Sequence, residues 1–560
     1  MKFAEIQKII SGLYVRKEPS AGEYISVAQS LRVFEKAEFP VFVRPLKAAF
    51  VGSYTIQGLP DVCAARGIFH NIRMETYAAP YNQFTQQAVN ASSGLEGFDP
   101  QIIYVMIDAP DIMDRKHLET VAQGFLGRTH ARIIFFDFVS SPHAAPERVA
   151  QLNAWLQDIS TIDARISVFD FAGFLNRVGV SEHWYTKYKD LGDLRLAPNG
   201  FVPLSEELMA FAVATAGNTK KCLVLDLDNT LWSGVVGEDG AMNVIPNREL
   251  QQYVLGLYEK GIILVINSKN NPEDAWEVFE RNPNMLLKKN HFAALRINWQ
   301  EKERNMMEIA QELNIGIESF VFVDDSGLEQ ERVRVAFPEV AVLPPELLMS
   351  FAGFHSFAVT EEDARRGEMY GEERMRKELL TSLPSEEEFL AALDLSLTIR
   401  RAHESDVARA SQLTQKTNQF NLATRRYSED EIRSRLQQDS WRIWVAEAKD
   451  RFGDYGTIGI VMIESQGDMW RIDNFLLSCR VLGRKIEEVL LHCMVDLAHR
   501  NAALRMVGEY ISTPKNKQCE YFYLYNGFTA SGTDEKIMTY KCVLADQKYV
   551  YPSFIKIILD

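Results

Sequence analysis

Residues 224–231 have the sequence V-L-D-L-D-N-T-L, an apolar run that ends in two aspartates one residue apart. Such a run predicts a buried strand of an open α/β sheet, and these sheets bind ligands at the carboxyl ends of their strands. Asp226 falls at that end, and Asp228 falls on the turn that follows. Two carboxylates this close repel each other unless a cation lies between them, so the pair predicts a bound divalent metal. All-oxygen ligands favour Mg²⁺, and a solvated turn is the alternative.

Three later segments each supply a polar group that such a site needs. Ser268 ends the strand-like run G-I-I-L-V-I-N-S, and Lys302 begins a helical stretch after N-W-Q-E. The run S-F-V-F-V-D-D ends in Asp324 and Asp325. Taken singly, Ser268 could be a capping residue and Lys302 part of a solvated helix face. In this order, however, the four segments resemble the four motifs of the haloacid dehalogenase (HAD) superfamily.

The resemblance to the HAD superfamily implies a role for each of these residues. Asp226 would attack a phosphoryl group and become an aspartyl-phosphate, while Asp228 would protonate the leaving oxygen and later activate water. Ser268 would donate a hydrogen bond to a phosphoryl oxygen, and Lys302 would neutralise charge. The Mg²⁺ ligands would be Asp226, the backbone carbonyl of Asp228, and Asp324, with Asp325 in direct contact or just behind.

Composition excludes several classes of protein. The chain has 560 residues, 46% of them hydrophobic, which predicts a globular protein of about three to four domains. A net charge of -15 argues against a nucleic-acid-binding surface. The N-terminus lacks the apolar core of a signal peptide, and no apolar run is long enough to cross a membrane, so we expect a cytoplasmic protein. The six cysteines have no C-x-x-C spacing, which indicates neither a zinc site nor a disulfide framework.

The hydrophobic pattern divides the chain into three regions and a connector, which predicts a multidomain α/β protein. The first region, 1–215, alternates strand-like runs with helical stretches, as a parallel sheet requires. The second region, 218–365, carries the phosphoryl-transfer motifs. A charged helical connector, 366–394, leads to the third region, 395–560, which begins with the strand-like L-S-L-T-I-R-R. The strand-like runs of the first region are A-A-F-V-G-S, Q-I-I-Y-V-M-I-D, A-R-I-I-F-F-D-F and A-R-I-S-V-F-D.

The first region resembles SGNH-type hydrolases at Ser53, which follows a strand-like run and a glycine as their nucleophile does. An active member would also need an oxyanion asparagine in a G-x-N-D block and an Asp-x-x-His pair. The matching strand ends in I-D-A-P-D, and His183 has no aspartate three residues before it. A serine without a base is a weak nucleophile, so we expect a structural or substrate-handling role, with esterase activity as the alternative.

The third region resembles a GNAT-like acyltransferase domain of the α+β class. Arg480 and Gly483 match an R/Q-x-x-G-x-G/A turn, whose backbone N–H groups would bind the pyrophosphate of an acyl or pantetheine carrier. Lys485 departs from that pattern, because glycine or alanine is usual there. Asn516 and Tyr523 occupy positions where that fold keeps polar groups near the thioester. Packing of an amphipathic sheet and helix is the alternative reading of these residues.

The whole order of SGNH-like, HAD and GNAT-like regions resembles the FkbH-like family, supported by W-S-G-V-V-G-E-D-G and T-N-Q-F-N-L-A-T-R-R-Y. The resemblance implies that a glyceryl unit is taken from 1,3-bisphosphoglycerate and loaded onto the phosphopantetheine arm of an acyl carrier protein. Two departures stand out, because Asn267 replaces a cysteine and Gln330 replaces an arginine, whereas Glu329 is retained. With no thiol at 267, we expect any glyceryl intermediate on Cys479, beside Arg480, or else direct transfer to the carrier thiol.

The short segment between Leu231 and Gly261 predicts a minimal cap, which would leave the site open to a carrier's arm. Carrier proteins are acidic, so we expect local basic docking pairs at Arg400-Arg401 and Arg425-Arg426, with solvated arginines as the alternative. Two other functions stay open. A phosphatase acting on a small sugar or acyl phosphate needs only the second region, and a pathway scaffold would have degenerate domains.

Overall fold

The computed structural model describes residues 3–16, 18–35, 38–141, 143–313, 315–357, 365–417, 419–513, 516–534, 537–546 and 549–560. The chain forms two compact units, Met1–Gly371 and Glu372–Asp560. The first unit holds the first and second regions, and the second unit holds most of the connector and the third region. In the described ranges, no helix is both long enough and apolar enough to span a bilayer.

The first region forms a five-stranded sheet in which all neighbouring strands are parallel, with the spatial order 2-1-3-4-5. Four of its strands coincide with the four strand-like runs, so the predicted parallel sheet is confirmed. The remaining strand, Ile72–Ala78, alternates charged with apolar residues, as a strand at the sheet edge can. The strands are β1 (Arg44–Gly52), β2 (Ile72–Ala78), β3 (Ile102–Met106), β4 (Arg132–Phe136) and β5 (Ile166–Phe169).

Helices connect these strands, and several begin at residues that cap the helix. Asp114 and Asp170 each accept a hydrogen bond from the backbone three residues later, which satisfies a free N–H of the first turn. The helices are α1 (Phe3–Tyr14), α2 (Ala21–Leu31), α3 (Leu59–Phe69), α4 (Phe84–Val89), α5 (Gly94–Phe98), α6 (Arg115–Arg128), α7 (Pro146–Ser160), α8 (Phe171–Val178), α9 (Val180–His183) and α10 (Phe201–Thr215).

The second region forms another parallel five-stranded sheet, and the strand that leads to Asp226 lies at its centre. The strand order is 10-9-6-11-12 in chain numbering, and a two-stranded ribbon follows the first motif. The strands are β6 (Cys222–Leu225), β7 (Trp232–Ser233), β8 (Ile245–Pro246), β9 (Ile263–Ser268), β10 (Phe292–Ile297), β11 (Phe320–Val323) and β12 (Ala341–Leu343). The helices are α11 (Val236–Asp239), α12 (Arg248–Glu259), α13 (Pro272–Arg281), α14 (Lys302–Leu313) and α15 (Gly327–Ala336).

A buried carboxylate on α10 joins parts of both regions in the first unit. Glu206 accepts hydrogen bonds from Tyr14 (2.7 Å), Arg66 Nε (2.8 Å) and the backbone N–H of Ala352 (3.0 Å), and His70 lies 3.2 Å away. Burial raises the pKa of Glu206, but His70 and Arg66 outweigh burial and hold that pKa below its usual range. The carboxylate therefore stabilises the fold above its unfolded-state pKa, and that contribution is lost as the pH falls.

We expect Glu206→Gln to lower the free energy of unfolding by about 3 kcal/mol at pH 7, because Arg66 would stay buried without its counter-charge. Urea unfolding would measure the loss. Glu207→Gln is the matched control, because Glu207 is the next residue along the chain and forms an exposed ion pair with Arg177. An equal change in the free energy of unfolding of both variants would contradict the stabilising role of the buried Glu206 carboxylate.

The second unit contains a nine-stranded sheet, mostly antiparallel, preceded by two connector helices. The predicted helical connector and the strand L-S-L-T-I-R-R are both present. The strands are β13 (Leu395–Arg401), β14 (Phe420–Asn421), β15 (Trp441–Asp450), β16 (Gly453–Gln466), β17 (Met469–Leu477), β18 (Arg505–Ile511), β19 (Thr529–Asp534), β20 (Ile537–Val543) and β21 (Ile555–Leu559). The helices are α16 (Arg366–Ser382), α17 (Glu386–Ala392), α18 (Val407–Lys416), α19 (Glu429–Leu436), α20 (Ile486–Arg500) and α21 (Phe522–Tyr525).

Candidate active site

Four polar residues that the sequence singled out lie at one edge of the second sheet. Asp226 follows β6, Asp324 follows β11, and Ser268 is the last residue of β9, and these three strands are neighbours. Lys302 is the first residue of α14. Because parallel strands end at a common edge, residues that are far apart in the sequence meet there.

Lys302 lies between two buried carboxylates. Its Nζ is 2.6 Å from Asp226 Oδ1 and 2.5 Å from Asp324 Oδ2. Burial raises the pKa of Asp226 to about 6, although Lys302 opposes that rise. Burial also works against the charge of Lys302, but the two carboxylates outweigh it and raise the lysine pKa. The ammonium and the two carboxylates therefore form one charged cluster in which each side chain is largely buried.

The same edge has the geometry of a metal site. Carboxylate oxygens of Asp226, Asp324 and Asp325 lie within 4.8 Å of one another, and Asp325 is exposed to solvent. Three carboxylates face one ammonium, so the cluster has an excess of negative charge. These oxygen donors fit Mg²⁺, which binds a few carboxylates and keeps water on its open side. The carboxylate of Asp228, by contrast, is not part of this cluster.

Asp228 is instead held in place by three donors. Its Oδ1 accepts hydrogen bonds from Trp232 Nε1 (2.8 Å) and the backbone N–H of Val236 (3.1 Å), and its Oδ2 accepts one from Asn270 Nδ2 (3.0 Å). Asn270 also donates to Ser268 Oγ at 3.2 Å. Trp232 and Asn270 were not among the predicted site residues, although both lie beside the first two motifs in the sequence.

The cap over this edge is small. Between Leu231 and Gly261 the chain forms only β7, α11, β8 and α12, and β7 pairs with β8 over two residues each. The minimal cap that the sequence predicts is present.

Asn267, which replaces the cysteine of the family pattern, supports the helix that carries Lys302. Its Nδ2 donates to the backbone carbonyl of Lys302 at 2.9 Å, and its Oδ1 accepts from Asn305 Nδ2 at 3.0 Å. Both asparagines are fully buried. The hydrogen bonds tie the end of β9 to the first turn of α14, which fixes the position from which the lysine reaches both carboxylates.

We expect Asn267→Ala to reduce the turnover of a phosphate ester by about tenfold to a hundredfold, because the support for Lys302 is lost and a buried carbonyl loses its donor. Steady-state kinetics would measure the loss. If Asn267 acts through Lys302, then Asn267→Ala should have little further effect in a Lys302→Ala background. Asn282→Ala is the control, since this buried asparagine donates to Ala241 and Val244 instead. Equal losses in both backgrounds would contradict a role through Lys302.

Gln330, the second departure from the family pattern, supports the fourth motif. Its Nε2 donates to the backbone carbonyl of Asp324 at 2.7 Å. The retained Glu329 pairs with Lys269 at 3.1 Å, next to Ser268. The glutamine therefore positions the acidic loop without adding a positive charge.

Ser53 in the first region has no histidine partner. Its Oγ donates to Asp111 Oδ2 (2.7 Å) and accepts from the backbone N–H of Asp108 (3.0 Å). Arg195 Nη1 neutralises both carboxylates, at 2.5 Å from Asp111 and 2.9 Å from Asp108. His183 bonds the carbonyl of Gly179 instead, and no histidine of the described ranges hydrogen-bonds to Ser53. A carboxylate paired with arginine is a poor base, which favours the structural or substrate-handling role.

The turn before α20 differs from an open anion-binding turn. Gly483 and Lys485 both have positive φ, at 77° and 65°. Arg484 bridges the turn by donating to the carbonyl of Arg480 at 2.5 Å. Burial raises the pKa of Glu487 in the first turn of α20, opposed by backbone N–H groups of Glu487 and Gly483. A carboxylate in the first turn of a helix can compete with a bound anion for the N–H groups of that turn, and binding of a pyrophosphate by Arg480 and Gly483 stays a prediction.

Asn516 and Tyr523 also serve the packing of the third region. Asn516 Nδ2 donates to the carbonyls of Asn421 (2.9 Å) and Ile511 (3.0 Å). It thereby joins β18 to β14, which pairs with the far end of β17. Tyr523 is buried against Gly508, and its hydroxyl has no hydrogen-bond partner among the residues that the structure describes. Both residues therefore contribute to packing, and their contacts with pantetheine stay a prediction. The side chain of Cys479 lies outside the described part of the structure.

Three of the four arginines predicted to dock a carrier are engaged within the third region. Arg400 pairs with Asp406 (2.7 Å) and Glu447 (2.6 Å). Arg425 pairs with Glu509 at 2.5 Å, and Arg426 donates to the carbonyl of Gln415 at 2.6 Å. Arg400 and Arg425 are ion-paired and so offer less charge to a partner, and docking of a carrier at the two arginine pairs stays a prediction.

No family model and no curated protein matches the sequence. Over 64% of its length the chain is similar to the whole solved N-terminal part of the protein BF1531 from Bacteroides fragilis, which contains a phosphatase domain and is complexed with Mg, at 26% identity and a TM-score of 0.49. It is similar over 28% of its length to 99% of the ribosomal-protein-S18-alanine N-acetyltransferase from Escherichia coli, at 13% identity and a TM-score of 0.22. A mutant of the spermidine N-acetyltransferase SpeG from Vibrio cholerae matches 27% of the chain over 94% of its own, at 15% identity and a TM-score of 0.22. These likenesses assign no family, so function has to be inferred from the chain's own residues.

Proposed function

We propose that this protein is a phosphoryl-transfer enzyme in which Asp226 is the covalent nucleophile. The observation that carries the proposal is the Lys302 ammonium, which lies within 2.6 Å of oxygens on both Asp226 and Asp324 at the open edge of a parallel sheet. Burying the charged groups of Lys302, Asp226 and Asp324 together costs solvation free energy. Such clusters are typical of sites that bind a highly charged ligand, here a phosphoryl group.

The first step is attack of Asp226 on phosphorus. Lys302 donates to Oδ1, and we assign the new bond to phosphorus to the other carboxylate oxygen, Oδ2. As that bond forms, the bond from phosphorus to the leaving oxygen breaks, and its electron pair stays on that oxygen. Lys302 and the Ser268 hydroxyl donate to the oxygens on which charge develops.

Asp228 acts as the general acid and then as the general base. It gives a proton to the leaving oxygen, and the resulting carboxylate then takes a proton from water as the water oxygen attacks the phosphorus of the aspartyl-phosphate. Inorganic phosphate leaves, and the carboxylate of Asp226 is restored. The donors Trp232 and Asn270 keep the Asp228 carboxyl oriented throughout.

The carboxylates of Asp226, Asp324 and Asp325, with the backbone carbonyl of Asp228, are the groups that would hold Mg²⁺. The short separations among the three carboxylates support this assignment. When bound, the ion would neutralise negative charge on the phosphoryl group.

For the substrate, we propose 1,3-bisphosphoglycerate, from which Asp226 removes the ester phosphate at C3. The phosphopantetheine thiol of an acyl carrier protein would then attack the C1 carbonyl, so that a thioester forms, the C1 acyl phosphate leaves as inorganic phosphate, and the thiol proton passes to solvent. The minimal cap supports a large acceptor, because the catalytic edge has little structure above it. This finer proposal depends on the resemblance to the FkbH-like family.

Few cysteines of this chain are candidates to carry the glyceryl group as a covalent intermediate. Asn267 removes the thiol beside the phosphoryl site, and the five other cysteines are buried. Burial raises the pKa of Cys222, for example, which makes it a poor nucleophile at neutral pH. We therefore propose that the glyceryl group passes directly to the carrier thiol unless Cys479 accepts it first. Incubation with the donor alone, followed by peptide mapping, distinguishes these routes, since only a relay leaves an adduct on Cys479.

Intact-mass spectrometry of candidate carrier proteins tests the substrate proposal. After incubation with this protein, Mg²⁺ and 1,3-bisphosphoglycerate, we expect one carrier to gain the mass of a glyceryl group. Phosphate release with no carrier modified would favour a phosphatase that acts on small sugar or acyl phosphates. Neither phosphate release nor transfer would favour the scaffold alternative.

A further inference from the structure

Two partly buried arginines in the third region share one face of the sheet. Arg401 is the last residue of β13, and Arg442 is the second residue of β15. Arg401 is paired across the strands with Trp444, which lies two residues after Arg442. Side chains two residues apart on a strand, and directly opposite on its partner, point to the same face.

Both guanidinium groups lie over tryptophan rings. The Cζ of Arg401 is 5.2 Å from the ring centroid of Trp444, and the Cζ of Arg442 is 5.1 Å from that of Trp470. The two rings are themselves buried, at 8% and 2% exposure, so they form a rigid floor. Stacking covers one face of a guanidinium and leaves its N–H edge for a ligand.

These cations lack acceptors within the part of the chain that the structure describes. The single hydrogen bond of Arg401 runs from Nη2 to the carbonyl of Trp441 at 3.4 Å, and Arg442 forms none. Arg401 Nη1, Arg442 Nε and Trp444 Nε1 are buried without a partner. Guanidinium and indole groups only donate hydrogen bonds, so what is missing is an acceptor.

The charges also lack compensation. Neither arginine forms an ion pair with a described residue, in contrast to Arg400, which contacts two carboxylates. Burial lowers the pKa of Arg401, and the nearby charge of Arg442 lowers it further. Residues in this diagonal relation lie roughly 7–8 Å apart, a separation that two long side chains can close around one small anion.

We propose that Arg401 and Arg442 bind an oxyanion, the phosphate or carboxylate group of a ligand, above the floor formed by Trp444 and Trp470. The edge N–H groups would form charge-assisted hydrogen bonds to its oxygens. The site lies in the third region and uses none of the residues assigned to phosphoryl transfer, so the proposal stands independently of that function.

Calorimetric titration of the full chain with sodium phosphate, and separately with sodium acetate, tests the site. EDTA is present throughout, so that any phosphate bound near Asp226 contributes equally to every variant. We expect Arg442→Gln and Arg401→Gln each to weaken binding of the preferred anion by about tenfold or more, as loss of a charge-assisted hydrogen bond does. Arg505→Gln is the control, because this arginine of the same sheet pairs with Asp468 at the surface.

The preference between phosphate and acetate identifies which oxyanion group the site binds. Arg442→Lys keeps the positive charge and should therefore retain part of the affinity. Any change in tryptophan fluorescence on addition of the anion should be lost in the same variants that lose the calorimetric signal. Identical isotherms for the wild type, Arg401→Gln and Arg442→Gln would overturn the proposal. Binding of neither anion by the wild type would overturn it as well.

Discussion

Asp226→Asn is expected to abolish release of phosphate from a phosphate ester, with a loss of about 10⁴-fold or more in turnover. An amide oxygen does not form the covalent phosphoryl bond, so no remaining group of the cluster replaces the carboxylate. Colorimetric detection of phosphate with 4-nitrophenyl phosphate as the probe would measure the loss. Excess EDTA should act on the wild type in the same way, because the carboxylates that would hold Mg²⁺ include the nucleophile itself.

Asp228→Asn is the comparison for that variant, because it removes the proton donor and keeps the nucleophile. A loss of roughly 10²–10⁴-fold is expected, as for other general acid–base residues. Full activity of Asp226→Asn, or of the wild type in EDTA, would rule out HAD chemistry at this edge.

Lys302→Met is expected to have the second largest effect, on both activity and stability. It leaves Asp226 and Asp324 buried side by side without their shared cation, and breaking such a buried pair costs about 3–5 kcal/mol. Burial already raises the pKa values of both carboxyl groups, and loss of the ammonium should raise them further. Turnover should fall with stability, because the same ammonium stabilises the transferred phosphoryl group.

Urea unfolding with and without Mg²⁺ tests this expectation. Bound Mg²⁺ should restore part of the stability of Lys302→Met, because the ion would bind only the folded carboxylate cluster. Lys269→Met is the matched control, since that lysine pairs with Glu329 and Glu301 at a more exposed position. If Lys302→Met is as stable as the wild type in EDTA and its turnover is unchanged, Lys302 neither stabilises the carboxylate cluster nor contributes to phosphoryl transfer.

The sequence predicted the catalytic edge well because the arrangement depends on simple geometry. Each of these polar residues, Asp226, Asp324 and Ser268, comes at the end of an apolar run, which places it at the end of a strand. Parallel strands then bring these ends together at one edge of the sheet. The supporting residues Trp232 and Asn270 could not be predicted in the same way. Their roles depend on side-chain directions that a one-dimensional pattern does not contain, although both lie within four residues of a predicted site residue.

The third region illustrates the opposite case. The spacing of Arg480 and Gly483 predicts a turn before a helix, and the turn is present. Whether its N–H groups are open to an anion depends on neighbouring side chains such as Glu487 in the first turn of the helix, and a motif does not encode those neighbours. Arg400 and Arg401 are a second example. The sequence predicts the same docking role for both, yet of these two only Arg400 has carboxylate partners among the described residues.

The most direct test of covalent phosphoryl transfer is to trap the aspartyl-phosphate. The protein would be mixed with Mg²⁺ and the phosphate donor, quenched in acid, and reduced with borohydride, which converts an acyl phosphate to the corresponding alcohol. Peptide mass spectrometry should then locate homoserine at the position of Asp226, and Asp226→Asn should give no such product. Turnover of the donor without any reduced carboxyl at that position, or with the product at another aspartate, would contradict the proposed nucleophile.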